Sequence, residues 1–124
     1  MNNLEFIENI ATNVSWTSDL YRDRISYYDQ LLPHVLMCEM STTFLSISDE
    51  TFIHKLNVEE NLVKLKIFLE LIENGLNSNS SEVKNLILVS FIENVAPYIK
   101  YFSSIQTIIG NSLKEELESL QHFL

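Results

Sequence analysis

The chain has 124 residues, 46% of them hydrophobic, with two glycines, two prolines and a formal net charge of −9. That length accommodates one buried core rather than two, and so little glycine and proline leaves scant material for the tight turns of an all-β or Gly-rich nucleotide-binding protein. The negative charge argues against phosphate backbones and anionic membranes as partners, because both require a cationic face.

The first predicted helix covers residues 4 to 13, with Leu4, Ile7, Ile10 and Ala11 as its apolar stripe. Thr17 or Ser18 is expected to cap a second helix that carries Leu20, Arg24, Tyr27 and Tyr28 to about Gln30. Pro33 suits the first turn of a third, followed by Val35, Leu36, Met40, Phe44 and Leu45 at helical spacing. The polar run Ser46-Ile47-Ser48-Asp49-Glu50 predicts a connection over 46 to 57 with at most one helical turn. Leu62, Leu65, Leu69, Ile72 and Leu76 then repeat at 3-4-3-4 spacing and predict a helix over 58 to 76. After the turn at Asn77 to Ser80, a fifth helix packs antiparallel to it and runs to about Asn94. Apolar nearly all round, it is the expected centre of the core. Ala96-Pro97 should interrupt it, with short pieces following to Gly110. Ser112 and Glu115 suggest a capping box for a last helix striped by Leu113, Leu117, Leu120 and Leu124. The expected fold is all-α, a compact bundle of six to seven antiparallel helices in a single domain over residues 1–124.

Cys38 is the only cysteine, so no intrachain disulfide can form and a reducing cytoplasm is expected. The stretch Met1 to Glu5 lacks the basic-then-apolar pattern of a secretory signal. Leu86 to Ile92, the most apolar run, falls well short of the roughly 20 residues that span a bilayer.

Little in the chain suggests chemistry. His34 and Cys38, four apart with Glu39 nearby, could furnish half of a zinc site, but a full site would need His54 or His122 as well. There is no Gly-rich phosphate loop, nucleophile elbow or His-Glu-x-x-His. The acid pairs Asp49-Glu50, Glu59-Glu60 and Glu115-Glu116 are adjacent and point apart on a helix, as on solvated faces. No catalytic residue, metal or cofactor is therefore expected. The acids are uneven: residues 1 to 62 hold ten against three bases, the rest seven against five. Tyr27, Tyr28, Trp16, Tyr21, Tyr98 and Tyr101 could supply contact area with a polar tip, although core packing is the default reading of any one of them. The candidate partner-binding residues are Asp19, Asp23, Tyr27, Asp29, Glu39, Asp49 and Glu50.

Leu31-Leu32-Pro33-His34-Val35-Leu36 and the apolar helix through Phe44 form one recognisable block. A second comprises Leu62 to Leu76 and then Ser81-Glu82-Val83-Lys84-Asn85-Leu86-Ile87-Leu88-Val89-Ser90-Phe91-Ile92-Glu93-Asn94, and Ile109 to Leu117 closes the pattern. Together, over roughly residues 18 to 118, they resemble a small family of all-helical bacterial proteins akin to immunity proteins of polymorphic toxin and contact-dependent growth inhibition systems. The chain departs from that pattern at Cys38-Glu39-Met40, where the family has a Gly-Asp turn. The resemblance implies a cytoplasmic, monomeric immunity protein that neutralises a cognate protein toxin in a 1:1 complex, the toxin being a basic nuclease domain covered by an acidic surface. No nucleic acid, membrane or cofactor is implied. A helical adaptor binding another protein through an apolar groove is the alternative.

Overall fold

The computed structural model describes residues 1–28, 32–98 and 102–121. Among the described residues, seven helical segments pack around one hydrophobic core, with no strand. Helix α1 (Asn3–Asn13) starts at a capping box: the Asn2 side chain accepts from Glu5 N–H at 2.8 Å while the Glu5 carboxylate accepts from Asn2 N–H. Its buried face is Phe6, Ile7, Ile10 and Ala11, whereas Leu4 from the expected stripe is exposed.

Helix α2 (Ser15–Tyr28) begins earlier than Thr17 or Ser18 could cap it. Those hydroxyls turn backwards instead. Thr17 Oγ1 donates to Val14 O at 2.7 Å and Ser18 Oγ to Ala11 O, which satisfies carbonyls left open at the end of α1.

Helix α3 (Pro33–Phe52) has Pro33 in its first turn, as expected, and then continues through most of the segment expected to be a connection. The serines and threonines there are not loop residues. Ser41, Ser48 and Thr51 are buried, and Thr51 Oγ1 donates to Ile47 O at 2.7 Å, just as Ser41 Oγ does to Met37 O at 2.8 Å. A hydroxyl bonded to its own helix can occupy the core face at little cost, whereas the buried Ser48 hydroxyl has no hydrogen-bond partner. The true connection is short, and Lys55 and Asn57 have left-handed backbone, φ 56° and 48°.

Helix α4 (Val58–Leu76) matches the predicted span and buries Leu65, Phe68, Leu69 and Ile72. Its Gly75 lies within the helix at a close approach: a Cβ there would stand 2.6 Å from Ile87 Cδ1 and 2.7 Å from Phe6 Cε1. Ser80 caps α5 (Ser81–Ile87), its oxygen accepting from Val83 N–H at 3.1 Å.

A π-helical turn, Leu88–Ile92, joins α5 to α6 (Glu93–Val95) and a 3-10 turn, Ala96–Tyr98, without a break. The buried positions explain the irregularity. Leu86-Ile87, Ser90-Phe91-Ile92 and Val95-Ala96 are all buried, and Ile92 stands five residues after Ile87. In a regular α-helix five residues turn the stripe by about 140° off the core, whereas one i→i+5 turn returns it to the same side. The α-helical part ends at Val95, directly before Ala96-Pro97 as expected, and Pro97 sits in the 3-10 turn that follows.

After α7 (Phe102–Ile105), helix α8 (Asn111–Gln121) is capped from elsewhere. Instead of the expected Ser112–Glu115 box, the Glu73 carboxylate of α4 accepts from Ser112 N–H and Leu113 N–H, each at 2.8 Å. Ser112 Oγ donates to Asn77 Oδ1 at 2.6 Å. Gly110 leaves room for this, since a Cβ there would lie 2.6 Å from Glu73 Cγ. Burial pushes the Glu73 carboxyl up, but hydrogen bonds from Leu113, Ser112 and Asn77 outweigh it and hold the group below the ordinary value.

Phe68 sits at the middle of the core, its ring centroid 4.8 Å from Trp16, 5.6 Å from Phe91 and 5.9 Å from Phe44. Among the described residues, no helix is long and apolar enough to cross a membrane.

Candidate functional site: the acidic corner between α3 and α4

The structure separates the acids singled out in the sequence. Asp19 and Asp23 are exposed one turn apart on α2, where Asp19 pairs with Arg22. Arg22 and Arg24 match those two acids in number, so α2 carries no formal excess of charge. Asp29 lies outside the described residues, as does the side chain of Tyr27. Of the other aromatic candidates, Trp16 packs into the core, Tyr21 Oη donates to Glu8 Oε1 at 3.2 Å, and Tyr98 is exposed. Burial first, then the Glu8 hydrogen bond and charge, push the Tyr21 hydroxyl up. Tyr28 and Tyr101 cannot be placed as side chains within the described residues.

Glu39, Asp49 and Glu50 are half-buried on α3. Eleven residues apart, Glu39 and Glu50 fall on nearly one face, roughly 16 Å along the axis. Residues 33–62 hold Glu39, Asp49, Glu50, Glu59 and Glu60 against Lys55 alone, a net of −4 with neutral histidines. The negative charge thus gathers on α3 and the start of α4.

Asp49 and Glu50 occupy the last turn of α3, the negative end of its dipole, where a base would be the favourable residue. Two asparagines offset this at Glu50. Asn61 Nδ2 donates to Glu50 Oε2 at 2.8 Å and Asn57 Nδ2 to Glu50 Oε1 at 3.4 Å. Asn61 is buried, and its amide also reaches Leu56 O. Sequence reasoning missed Asn61, although a polar residue four before Leu65, on the core stripe of α4, is the kind of exception that marks a buried network.

Beside these acids lies an open groove of about 470 Å³ lined by Ser46, Ile47, Asp49, Glu50, His54 and Leu56. Leu56 is 55% exposed and neighbouring Ile53 47%. The arrangement offers apolar contact area beside fixed carboxylates, which suits recognition of a cationic group.

A second groove, of about 420 Å³, runs between α3 and the rod and is lined by Cys38, Thr42, Leu45, Asn94 and Tyr98. Asn94 Nδ2 donates to Cys38 Sγ at 3.2 Å and to Ser90 O at 2.9 Å. One turn away, His34 Nδ1 and Ser90 Oγ are 2.6 Å apart. Ser90 is 2% exposed, and its contact with the exposed His34 joins α3 to the π turn. Among the described residues, no three histidine, cysteine or acidic side chains gather as a metal site.

No curated protein and no solved structure matches this chain. A family profile described as Domain of unknown function (DUF7674) matches residues 7–124, and the chain therefore belongs to the DUF7674 family.

Proposed function

We propose that this protein is a cytoplasmic immunity protein, without enzymatic activity, that binds a basic toxin domain and neutralises it by covering its active site. The observation that carries this reading is the net of −4 over residues 33–62, mounted on two long helices that pack on a common core. A rigid, pre-formed acidic surface loses little entropy on binding, and its field accelerates encounter with a cationic partner. The sequence resemblance to immunity proteins supports the same reading. A 1:1 complex with a nuclease-type toxin is the expected assembly.

The test is capture of the tagged protein's partner from a lysate of its own cell at low salt, followed by a salt wash and a toxicity assay. A basic fragment released by salt, whose toxicity is relieved by co-expression of this chain, is the expected result. Recovery of nothing, or of a partner whose binding ignores salt, would sink the proposal. Salt-insensitive binding would instead favour an adaptor using the groove at Cys38, Leu45 and Tyr98, the second reading supported by an open, partly apolar cleft.

A further inference from the structure

We propose that the groove at the end of α3 receives an arginine side chain of the basic partner. This rests on the acidic-partner reading above and adds to it the place and the chemistry of contact.

Three features of the groove converge on that occupant. Its apolar part is Ile47 and Leu56, a surface for the methylene stem of a long side chain. Its charged part is Glu50, with Asp49 beside it, at the negative end of the α3 dipole, where nothing basic stands in the last turn. Finally, Glu50 is aimed before any partner arrives, because Asn61 and Asn57 donate to its two oxygens. Each carboxylate oxygen has a second lone pair available for a guanidinium, whose planar fork matches a carboxylate better than an ammonium does.

The neighbouring Ile53 and Leu56, both exposed, extend the apolar surface on which the residues flanking that arginine would rest. The groove is too open to enclose a free small molecule, and its half-apolar lining does not suit a hydrated metal ion. A side chain delivered by a polypeptide, its backbone lying over Ile53, fits both facts.

The experiment titrates the isotope-labelled full chain with a short synthetic peptide of alternating leucine and arginine, and with the same peptide carrying citrulline, which keeps the shape without the charge. Backbone amide shifts centred on residues 46–57 are expected with the arginine peptide, and binding on the order of ten-fold weaker with citrulline. Glu50→Gln, which keeps an acceptor for Asn61, and the exposed Leu56→Ser should each weaken binding several-fold, while Glu115→Gln at an exposed position of α8 leaves it unchanged. Shifts centred on α2 or on the Cys38 groove would overturn this inference while leaving the acidic-partner reading intact. Equal binding of the arginine and citrulline peptides, or no binding of either, would overturn both.

Discussion

Glu73 ties together residues far apart in the chain, accepting from Ser112 and Leu113 at the start of α8. Removing such a cap costs about 1–2 kcal/mol, so Glu73→Gln is expected to lower stability by that amount at neutral pH. The pH dependence has a definite sign. The folded carboxyl titrates below its ordinary value of 4.5, so its contribution is complete above that value and is lost as pH falls through the folded one. Urea midpoints of the two proteins should differ at pH 7 and converge once the pH has fallen below the lowered value of the folded carboxyl; a gap that persists there would show that the charge is not what holds α8. Gly110→Ala crowds the same carboxylate. Its loss should therefore add poorly to that of Glu73→Gln in a double-mutant cycle, since both disable one contact. Neither effect was legible in the sequence, where Ser112 and Glu115 offered a local cap and Glu73 stood 39 residues away.

Among the elements, the π turn is the least regular and has the clearest purpose. Its i→i+5 step brings Ile92 back to the face of Ile87, beside the already buried Ser90 and Phe91. Deleting exposed Val89 should convert it to α-helix and leave Ile87 and Ile92 in phase, at a cost of about 1–2 kcal/mol for disturbed contacts of Ser90. Deleting exposed Asn85, within α5, should throw the following stripe off the core by about 100° per residue lost and largely unfold the protein. Thermal melts that rank the two deletions equally would refute this account of the turn. The sequence already held the signal, apolar pairs spaced five and then four apart, but the run could equally be read as a helix buried on every side. For α3 the reverse occurred: the polar run from Ser46 to Thr51 read as loop, because a hydroxyl that bonds within its own helix, as Thr51 does to Ile47 O, looks the same in a sequence as one that breaks it.

In the whole molecule, α2, α3, α4 and the rod meet around Phe68 through Trp16, Phe44 and Phe91, Trp16 being the only tryptophan of the chain. Phe68→Ala is expected to destabilise by about 3–5 kcal/mol, read from Trp16 fluorescence in urea; a loss under about 1 kcal/mol would mean that the aromatic cluster is not the packing centre. The charge distribution also belongs to this scale. The excess of acid in the first half was visible by counting, yet counting placed Asp19 and Asp23 beside Asp49 and Glu50 as equals. The fold separates them, because α2 carries its own arginines whereas the end of α3 carries none. The all-helical class, the span of α4 and the start of α3 at Pro33 follow from the sequence alone, since each depends on spacing within a few turns and on backbone preferences of single residues. Only the tertiary structure decided that Glu73 caps α8 and that Asn61 and Asn57 aim Glu50. Those outcomes depend on which helix ends meet in space, and no local pattern encodes that meeting.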